Sequence, residues 1–112
     1  MKLITAVIRP EKLEDVRRAV AHAYVTGMTV TEVLGFGRQR GHDKLYRGAE
    51  YRIEFRPKFV LEMAVRARDV DAVIAAILRA AATGEVGDGK ILVSPLENVV
   101  RIRTGEQGPD AL

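Results

Sequence analysis

The sequence predicts an α+β domain in which one antiparallel sheet carries two helices on the same face. Two segments have the apolar spacing of amphipathic helices, and short β-branched or alternating segments precede and follow each of them. The two halves also resemble each other, since Thr26-Gly27 after the first helical segment recurs as Thr83-Gly84 after the second. Two β-α-β halves in one short chain are typical of the ferredoxin-like fold.

The first half contains a strand, a helix and a second strand. Leu3–Ile8 is short and β-branched, and Met28–Phe36 is rich in Val and Thr, as strands usually are. The helix between them is expected to begin after Pro10 and to end at Gly27. Its apolar stripe consists of Leu13, Val16, Ala19, Val20 and Ala23.

The second half repeats this order. Lys58–Val65 alternates, which predicts a strand with one buried face. The next segment predicts a helix with Asp69 as its N-cap and Gly84 beyond its C-terminus. Its apolar stripe consists of Val70, Val73, Ile74, Ile77, Leu78 and Ala81. Ile91–Ser94 predicts another strand, and the alternation of Val99–Arg103 predicts a small final one.

Two helices on one face leave the other face of the sheet uncovered. Val30, Val33 and Leu34 make the second strand too apolar for both of its faces to be in water. We therefore expect another copy of the chain to cover the open face. On the third strand, Lys58 and Glu62 lie four residues apart and so share a face.

The composition is that of one ordinary globular domain. The chain has 112 residues, 47% hydrophobic and 29% charged, and its net charge of +3 is too small to argue for nucleic acid. The absence of cysteine excludes disulfides and a thiol nucleophile, and His22 and His42 are too few for a histidine metal site. Without an apolar run of roughly 18–20 residues or a signal peptide, we expect a cytoplasmic protein.

A long charged connection, residues 37–55, separates the second and third predicted strands. A two-residue turn would suffice there, and connections beyond about 12–15 residues are usually functional. On a simple turn, Tyr46 and Tyr51 would only expose apolar surface to water. We therefore interpret residues 37–55 as a mobile recognition loop. A solvated hairpin tip, extended by the alternation of Tyr51, Ile53 and Phe55, is the alternative.

Residues 83–90 combine closely spaced glycines with a lysine. The spacing of Gly84, Gly89 and Lys90 matches a P-loop, but Ile91 replaces the magnesium-binding Ser or Thr and the predicted order is helix–loop–strand. A P-loop NTPase is therefore excluded. Glycines still free backbone N–H groups to face an anion, so we interpret this segment as a phosphate loop. A helix C-cap followed by a tight turn is the alternative.

Arg101 and Arg103 lie two residues apart on the predicted final strand, so they share a face about 6.7 Å apart. Two guanidinium groups at this spacing can bind adjacent phosphates. Charges that protect a strand edge are the alternative. The sequence shows no nucleophile–base pair and no paired carboxylates, so it predicts a binding protein and not an enzyme.

Together these segments resemble the PII nitrogen-regulatory signal transduction proteins over essentially the whole chain. The matching segments are Gly27–Val33, Gly35–Gln39, Tyr46–Tyr51, Thr83–Ile91 and Arg101–Glu106. The resemblance implies a homotrimer whose sheets line the centre, with ATP or ADP competing for three clefts between neighbouring subunits. The residues it places at or near the nucleotide are Thr29, Gly37, Arg38, Gln39, Glu62, Gly87, Asp88, Gly89, Lys90, Arg101 and Arg103.

The resemblance also implies an effector and protein partners. 2-Oxoglutarate would bind only with magnesium-ATP, Gln39 would ligate the magnesium ion, and Lys58 would pair with a carboxylate of the effector. The loop would dock on an ammonium channel, on the adenylyltransferase of glutamine synthetase or on a nitrogen-sensing kinase, with membrane association only through the channel. Tyr51 matches the tyrosine that a uridylyltransferase or adenylyltransferase modifies, whereas Ala49 replaces a serine that is phosphorylated in some cyanobacterial members.

The chain departs from the family pattern at a few positions. Tyr24 stands where glycine is common, and Leu92 replaces an aromatic residue, which would loosen the packing beneath the glycine turn. The alternative function is a ferredoxin-like RNA-binding module. Aromatic residues make up only 5% of the chain, which weighs against base stacking on the sheet.

Overall fold

The computed structural model describes residues 1–37 and 54–112. Within these ranges the strands are β1 (Lys2–Ile8), β2 (Thr29–Gly35), β3 (Arg56–Val65) and β4 (Gly89–Pro95), and the α-helices are α1 (Leu13–Ala21) and α2 (Val70–Ala81). Short 3-10 turns lie at Pro10–Lys12, Ala67–Asp69 and Gly108–Ala111. Neither α1 nor α2 has the length and apolarity that a membrane crossing requires.

The four strands form one sheet in the order β2-β3-β1-β4, and every neighbouring pair is antiparallel. β1 therefore lies between β3 and β4, where Ala6 is opposite Leu61 on one side and Ile91 on the other. This order, with a helix in each crossover, is the ferredoxin-like arrangement. The predicted fold class is confirmed.

The core lies between the sheet and the two helices. On β3 the side chains of Leu61, Met63 and Val65 are buried while Glu62 is exposed, as the alternation predicts. The other main core residues are Ile4, Ala6, Ile8, Val16, Val20, Val73, Ala76 and Ile77. Because both helices pack on this one face, the opposite face of the sheet, here called the open face, has no helix over it.

The open face is partly apolar. Directly paired residues of neighbouring strands point to the same side, so Val33, which pairs with Lys58, lies on the open face. Val30 pairs with buried Leu61, and therefore Val30 and Leu34 lie on the helix side. Of the three residues that suggested a covering partner, only Val33 belongs to the open face. The other strands contribute Leu3, Val7, Val60, Ala64 and Leu92 to it.

The end of α1 differs from its prediction, whereas the bounds of α2 agree with theirs. α1 ends at Ala21, well before Gly27, because the chain already reverses at Tyr24, whose φ is 73°. That left-handed conformation is easy for glycine and costs another residue roughly 1–2 kcal/mol. Asp69 occupies the N-cap position of α2 as predicted, but it makes no side-chain capping bond, and the residues before α2 form a 3-10 turn. Gly84 does follow the end of α2, with a φ of 89°.

The predicted final strand, Val99–Arg103, is wrong. The segment makes one isolated bridge, between Val100 and Gln107, and then turns back. The Arg101 N–H donates to the Glu106 carbonyl at 2.8 Å, so the segment pairs with its own continuation. Alternating side chains indicate an extended segment with two faces, but they do not supply a neighbouring strand in the sheet.

Candidate functional site

A glycine turn, residues 82–88, connects α2 to β4. Gly84, Gly87 and Gly89 have φ values of 89°, 107° and 104°, a region that side chains avoid. At Gly89 the space is closed as well, because a Cβ atom there would lie 1.8 Å from the Val7 carbonyl oxygen. Glycine at this position therefore allows the end of the turn to come this close to β1.

Asp88 holds the turn in shape. Its carboxylate accepts hydrogen bonds from the backbone N–H groups of Thr83 (2.7 Å) and Gly84 (2.9 Å), from the Thr83 hydroxyl and from Nε of Arg9 (2.9 Å). The bonds from Thr83 first, and that from Arg9 next, hold the pKa of Asp88 well below its usual range. The carboxylate is therefore ionised, and within one chain it organises the turn.

Arg9 belongs to the site but was not predicted from the sequence. Besides its bond to Asp88, its Nη2 donates to the Val86 carbonyl oxygen at 3.0 Å. A Cβ atom on Gly87 would lie 3.3 Å from the same nitrogen, so the turn wraps closely around this guanidinium. The sequence feature that could have indicated Arg9 is its position as a basic residue directly after the first strand. Its meaning depends on the pairing of β1 with β4, which brings the end of β1 beside the start of β4.

Lys58 brings another positive charge to the turn from β3. Its Nζ donates to the Gly87 carbonyl oxygen at 2.5 Å. Burial first, and the charge of nearby Arg9 second, lower the pKa of Lys58. Lys90 stands at the start of β4 on the open face, opposite Val7. Three basic side chains thus border the turn, and they can hold an anion such as a phosphate or a carboxylate.

Thr29 and Glu62 lie together, as directly paired and exposed residues of β2 and β3 on the open face. Glu62 is four residues along β3 from Lys58, a distance of about 13 Å. Gly37 is exposed just beyond the end of β2. Three predicted site residues lie outside the described residues: Arg38, Gln39 and Tyr51.

Arg101 and Arg103 lie at the opposite end of the sheet from the glycine turn. The Leu96 N–H donates to the Met1 carbonyl (3.1 Å), which anchors the C-terminal segment beside the start of β1. The turn adjoins the end of β1, about 20 Å away. Arg101 bonds the Glu106 carboxylate at 2.6 Å, and because the chain turns back here, the two arginines do not share a strand face as predicted. One chain therefore does not bring these arginines to the turn.

The fold and the turn define the class of protein. Among residues 1–37 and 54–112, no group of three His, Asp or Glu side chains could hold a metal ion. The polar and charged groups that cluster in these residues belong instead to a basic, glycine-rich turn at one end of a ferredoxin-like sheet. Such a turn is suited to binding a small anionic ligand.

Comparison with known proteins identifies the family. The family model for the nitrogen regulatory protein P-II matches residues 1–106. The chain is 55% identical to the nitrogen regulatory protein P-II of Pasteurella multocida and 54% identical to the nitrogen regulatory protein GlnK of Escherichia coli K12. A nitrogen regulatory protein P-II of Klebsiella oxytoca is also 54% identical, and all three alignments cover both chains completely.

The chain belongs to the P-II family of nitrogen regulatory proteins. Members of this family are regulators of nitrogen metabolism and not enzymes. The family resemblance inferred from the sequence motifs is therefore confirmed.

Proposed function

We propose that the protein is a homotrimeric signal transduction protein that binds ATP or ADP in clefts between its copies. The observation that carries this proposal is the division of basic residues between the two ends of one chain. Arg9, Lys58 and Lys90 border the glycine turn, whereas Arg101 and Arg103 lie about 20 Å away. The phosphate chain of one nucleotide is much shorter than this, so it reaches both groups when they come from two copies.

The glycine turn suits the phosphate groups of a nucleotide. Gly84, Gly87 and Gly89 all have positive φ values, and such closely folded glycine turns are a common anion-binding arrangement. The negative charge of Asp88 is balanced by Arg9 at 2.9 Å. The positive charges left to attract the ligand are therefore those of Lys58 and Lys90. We assign the nucleotide phosphates to this turn. The surrounding cleft would contain Thr29, Glu62 and the exposed Gly37.

The open face supports a trimer. It carries apolar side chains from all four strands, including Val7, Val60 and Leu92. Leu92 alone is 50% exposed in one chain. Placing these faces around a common centre removes the apolar surface from water, which favours association.

We infer that 2-oxoglutarate binds beside the nucleotide once magnesium-ATP is present. Lys58 is the residue assigned to its carboxylate, because the Lys58 ammonium lies at the turn and is hydrogen-bonded to a neutral carbonyl, that of Gly87. A carboxylate is a stronger partner for an ammonium group than a carbonyl is. Gln39, the proposed magnesium ligand, rests on the sequence motif and lies outside the described residues.

We propose that residues 37–55 convey the ligand signal to partners in nitrogen metabolism. Gly35 and Arg56, which border this connection, are paired residues at the end of the sheet that carries Lys58, so a ligand at the turn can bias the arrangement of the connection. The candidate partners are an ammonium channel, the adenylyltransferase of glutamine synthetase and a nitrogen-sensing kinase. Tyr51 is the proposed site for a uridylyltransferase or adenylyltransferase. These partners imply a cytoplasmic protein that meets the membrane only through the channel.

The alternative, an RNA-binding sheet, is less well supported. RNA-binding sheets of this kind stack bases on exposed aromatic side chains. In the strands of the described ranges the aromatic residue is Phe59, and it lies on the helix side, where it packs against the core. A filter-binding assay over a series of salt concentrations separates the two functions, since RNA binding would contradict the proposal.

Calorimetry and light scattering test the proposed function. We expect a trimer mass, competition between ATP and ADP, and 2-oxoglutarate binding that requires magnesium-ATP, with equal coupling in both directions. A monomer that binds no nucleotide would contradict the proposal. Effector binding that is unchanged by magnesium-ATP would contradict the order of binding.

A complementation experiment tests whether two copies build each cleft. Lys90→Ala and Arg103→Ala chains are each expected to lose nucleotide affinity as pure trimers. When the two chains are co-expressed, a mixed trimer has one cleft with an intact turn from one copy and an intact arginine from its neighbour. Recovery of tight ATP binding in mixed trimers supports the proposal, and its absence shows that the two groups do not act across copies.

A further inference from the structure

A second cleft lies at the end of the sheet where β1 begins. Its volume is about 520 Å³, which falls within the range of about 300–1,000 Å³ that is usual for small-molecule sites. None of its lining residues has a part in the nucleotide contacts assigned above. This cleft, here called the Tyr24 cleft, is lined by Tyr24, Thr26, Arg66, Arg68 and Asp69.

The sheet brings two connections together to form the Tyr24 cleft. Thr29 at the start of β2 pairs with Glu62 near the end of β3, so the segment before β2 and the segment after β3 lie at one end of the sheet. The pairing of Val65 with Lys2 places this end beside the start of β1. The glycine turn adjoins the other end of β1, about 20 Å away, so the cleft is separate from the turn.

Tyr24 forms one wall of the cleft from a backbone conformation that disfavours it. The chain after α1 is closed by a hydrogen bond from the Val25 N–H to the Val20 carbonyl (3.2 Å), a helix ending whose left-handed residue is usually glycine. Tyr24 occupies that position, and its side chain is 72% exposed. Burial of the ring therefore does not offset the conformational cost. The exposed ring is instead a surface on which a planar group can stack.

The opposite wall is a basic turn between β3 and α2. The Asp69 N–H donates to the Arg66 carbonyl at 2.9 Å, which closes the 3-10 turn. Nη2 of Arg66 donates to the Pro109 carbonyl at 3.2 Å, so this guanidinium is oriented and keeps other N–H donors. Arg68 forms no ion pair with another residue of the described ranges. Two guanidinium groups in one cleft can hold a phosphate by several charge-assisted hydrogen bonds.

Asp69 favours a ligand that carries hydroxyl groups beside its phosphate. Its carboxylate lines the same cleft and, like Arg68, forms no ion pair in the part of the chain that the structure describes. A bare phosphate would be repelled by this carboxylate. Because a carboxylate only accepts hydrogen bonds, the hydroxyl groups of a ribose suit it, as they suit the acidic residue that holds the ribose in dinucleotide-binding domains.

We propose that the Tyr24 cleft binds a nucleoside monophosphate. The base stacks on Tyr24, the ribose hydroxyl groups donate to Asp69, and the phosphate binds Arg66 and Arg68. This site goes beyond the proposed function, because it lies away from the glycine turn and all of its lining residues come from one chain. Stacking on an aromatic ring accepts any base, so the cleft has no requirement for adenine.

Calorimetry with guanosine monophosphate (GMP) tests the proposal, because its base is not the adenine of the nucleotides assigned to the glycine turn. Wild type is expected to bind GMP in each chain. Arg68→Ala should weaken this binding at least about tenfold, since it removes charge-assisted hydrogen bonds to the phosphate. Tyr24→Gly should weaken it at least about fivefold, since it removes the stacking ring. The matched control is Arg79→Ala, which removes an exposed arginine of α2 outside the cleft and should bind GMP like wild type.

Thermal unfolding separates a binding role of Tyr24 from a structural one. Tyr24→Gly removes the ring together with the unfavourable conformation, so it is expected to unfold at a temperature no lower than wild type while it loses GMP affinity. Tyr24→Phe keeps the ring and should keep GMP affinity within about twofold. Lys90→Ala changes the glycine turn alone, so it is expected to lose ATP affinity and to bind GMP like wild type.

Three results would overturn this inference and leave the proposed function standing. They are a wild-type protein that binds ATP but no GMP at millimolar concentration, GMP binding that Lys90→Ala abolishes while Arg68→Ala and Tyr24→Gly keep it, and inorganic phosphate that binds to the cleft as tightly as GMP. A wild-type protein that binds no ATP, but binds GMP with the expected dependence on Tyr24 and Arg68, contradicts the proposed function and leaves the Tyr24 cleft standing.

Discussion

Gly89 is expected to tolerate no side chain, and the size of the effect follows from two features of the structure. Its φ of 104° is unfavourable for alanine by roughly 1–3 kcal/mol. The alanine Cβ would also lie 1.8 Å from the Val7 carbonyl oxygen, and relieving such overpacking costs typically about 1–3 kcal/mol. Together they predict that Gly89→Ala loses about 2–6 kcal/mol, a large part of the stability of about 5–15 kcal/mol that a domain has.

Two glycine variants serve as controls. Gly84 has a φ of 89° but no atom within 4 Å of an added Cβ, so Gly84→Ala is expected to lose only the conformational cost of roughly 1–2 kcal/mol. Gly27 has neither feature, so Gly27→Ala should change stability by no more than about 0.5 kcal/mol. The three variants separate backbone strain from the close approach to β1.

Urea unfolding followed by circular dichroism measures these differences. All proteins must be compared at one chain concentration, because the stability of an assembly depends on it. The expected order of stability is Gly27→Ala, then Gly84→Ala, then Gly89→Ala. If Gly89→Ala is no less stable than Gly84→Ala, the contact between the turn and β1 is not what requires glycine there, and the geometry argued for the site fails.

Three other predictions concern the site and its surroundings. The pKa of Asp88 is lowered in the fold, so the stability it contributes is complete above the usual value of 3.8 and is lost as the pH falls toward the lower folded pKa. The deficit of Asp88→Asn in thermal unfolding should therefore be constant at neutral pH and shrink in acid, and a deficit that grows in acid would reverse this reasoning. In calorimetry, Lys58→Ala should lose 2-oxoglutarate binding and keep ATP binding, and Lys58→Arg is the charge-conserving control. Normal 2-oxoglutarate binding by the alanine variant would refute the assignment of Lys58 to the carboxylate. Phe36 and Phe55 pack edge to face with ring centroids 5.3 Å apart. A double-mutant cycle of alanine variants should therefore show a coupling free energy of about 0.5–1.5 kcal/mol, nearer the lower value because both rings are largely exposed. Zero coupling would show that the pair does not stabilise this end of the sheet.

The glycine turn was predictable because its motif is local. The glycines and Asp88 occur within a few consecutive residues, and their conformations depend mainly on the turn itself. Arg9 was missed because its partner is far away in the sequence and becomes adjacent only through the pairing of β1 with β4. The role of Lys58 was implied by the family resemblance, but its contact with the turn required the sheet order.

In the fold, too, most of the local features were predicted correctly and those that depend on distant parts of the chain were not. The alternation of β3 correctly predicted that Leu61, Met63 and Val65 are buried. The period of α2 predicted the buried Val73, Ile77 and Ala81 but missed Ala76, and Leu78, which it placed in the same stripe, is exposed. The predicted end of α1 was wrong because Tyr24 adopts the left-handed conformation that normally indicates glycine. The predicted strand at Val99–Arg103 was wrong because its alternation describes side chains, whereas a strand also needs a neighbouring backbone.

The amino-acid sequence by itself determined the helices, the faces of the strands, the family and the glycine turn. These features depend on residues a few positions apart, whose spacing sets which side chains can be buried together. Only the tertiary structure decided that Arg9 and Lys58 meet at Asp88 and Gly87, and that the C-terminal arginines lie at the far end of the sheet. Those relations depend on which strands pair and in what register, because pairing joins residues that are distant in the chain.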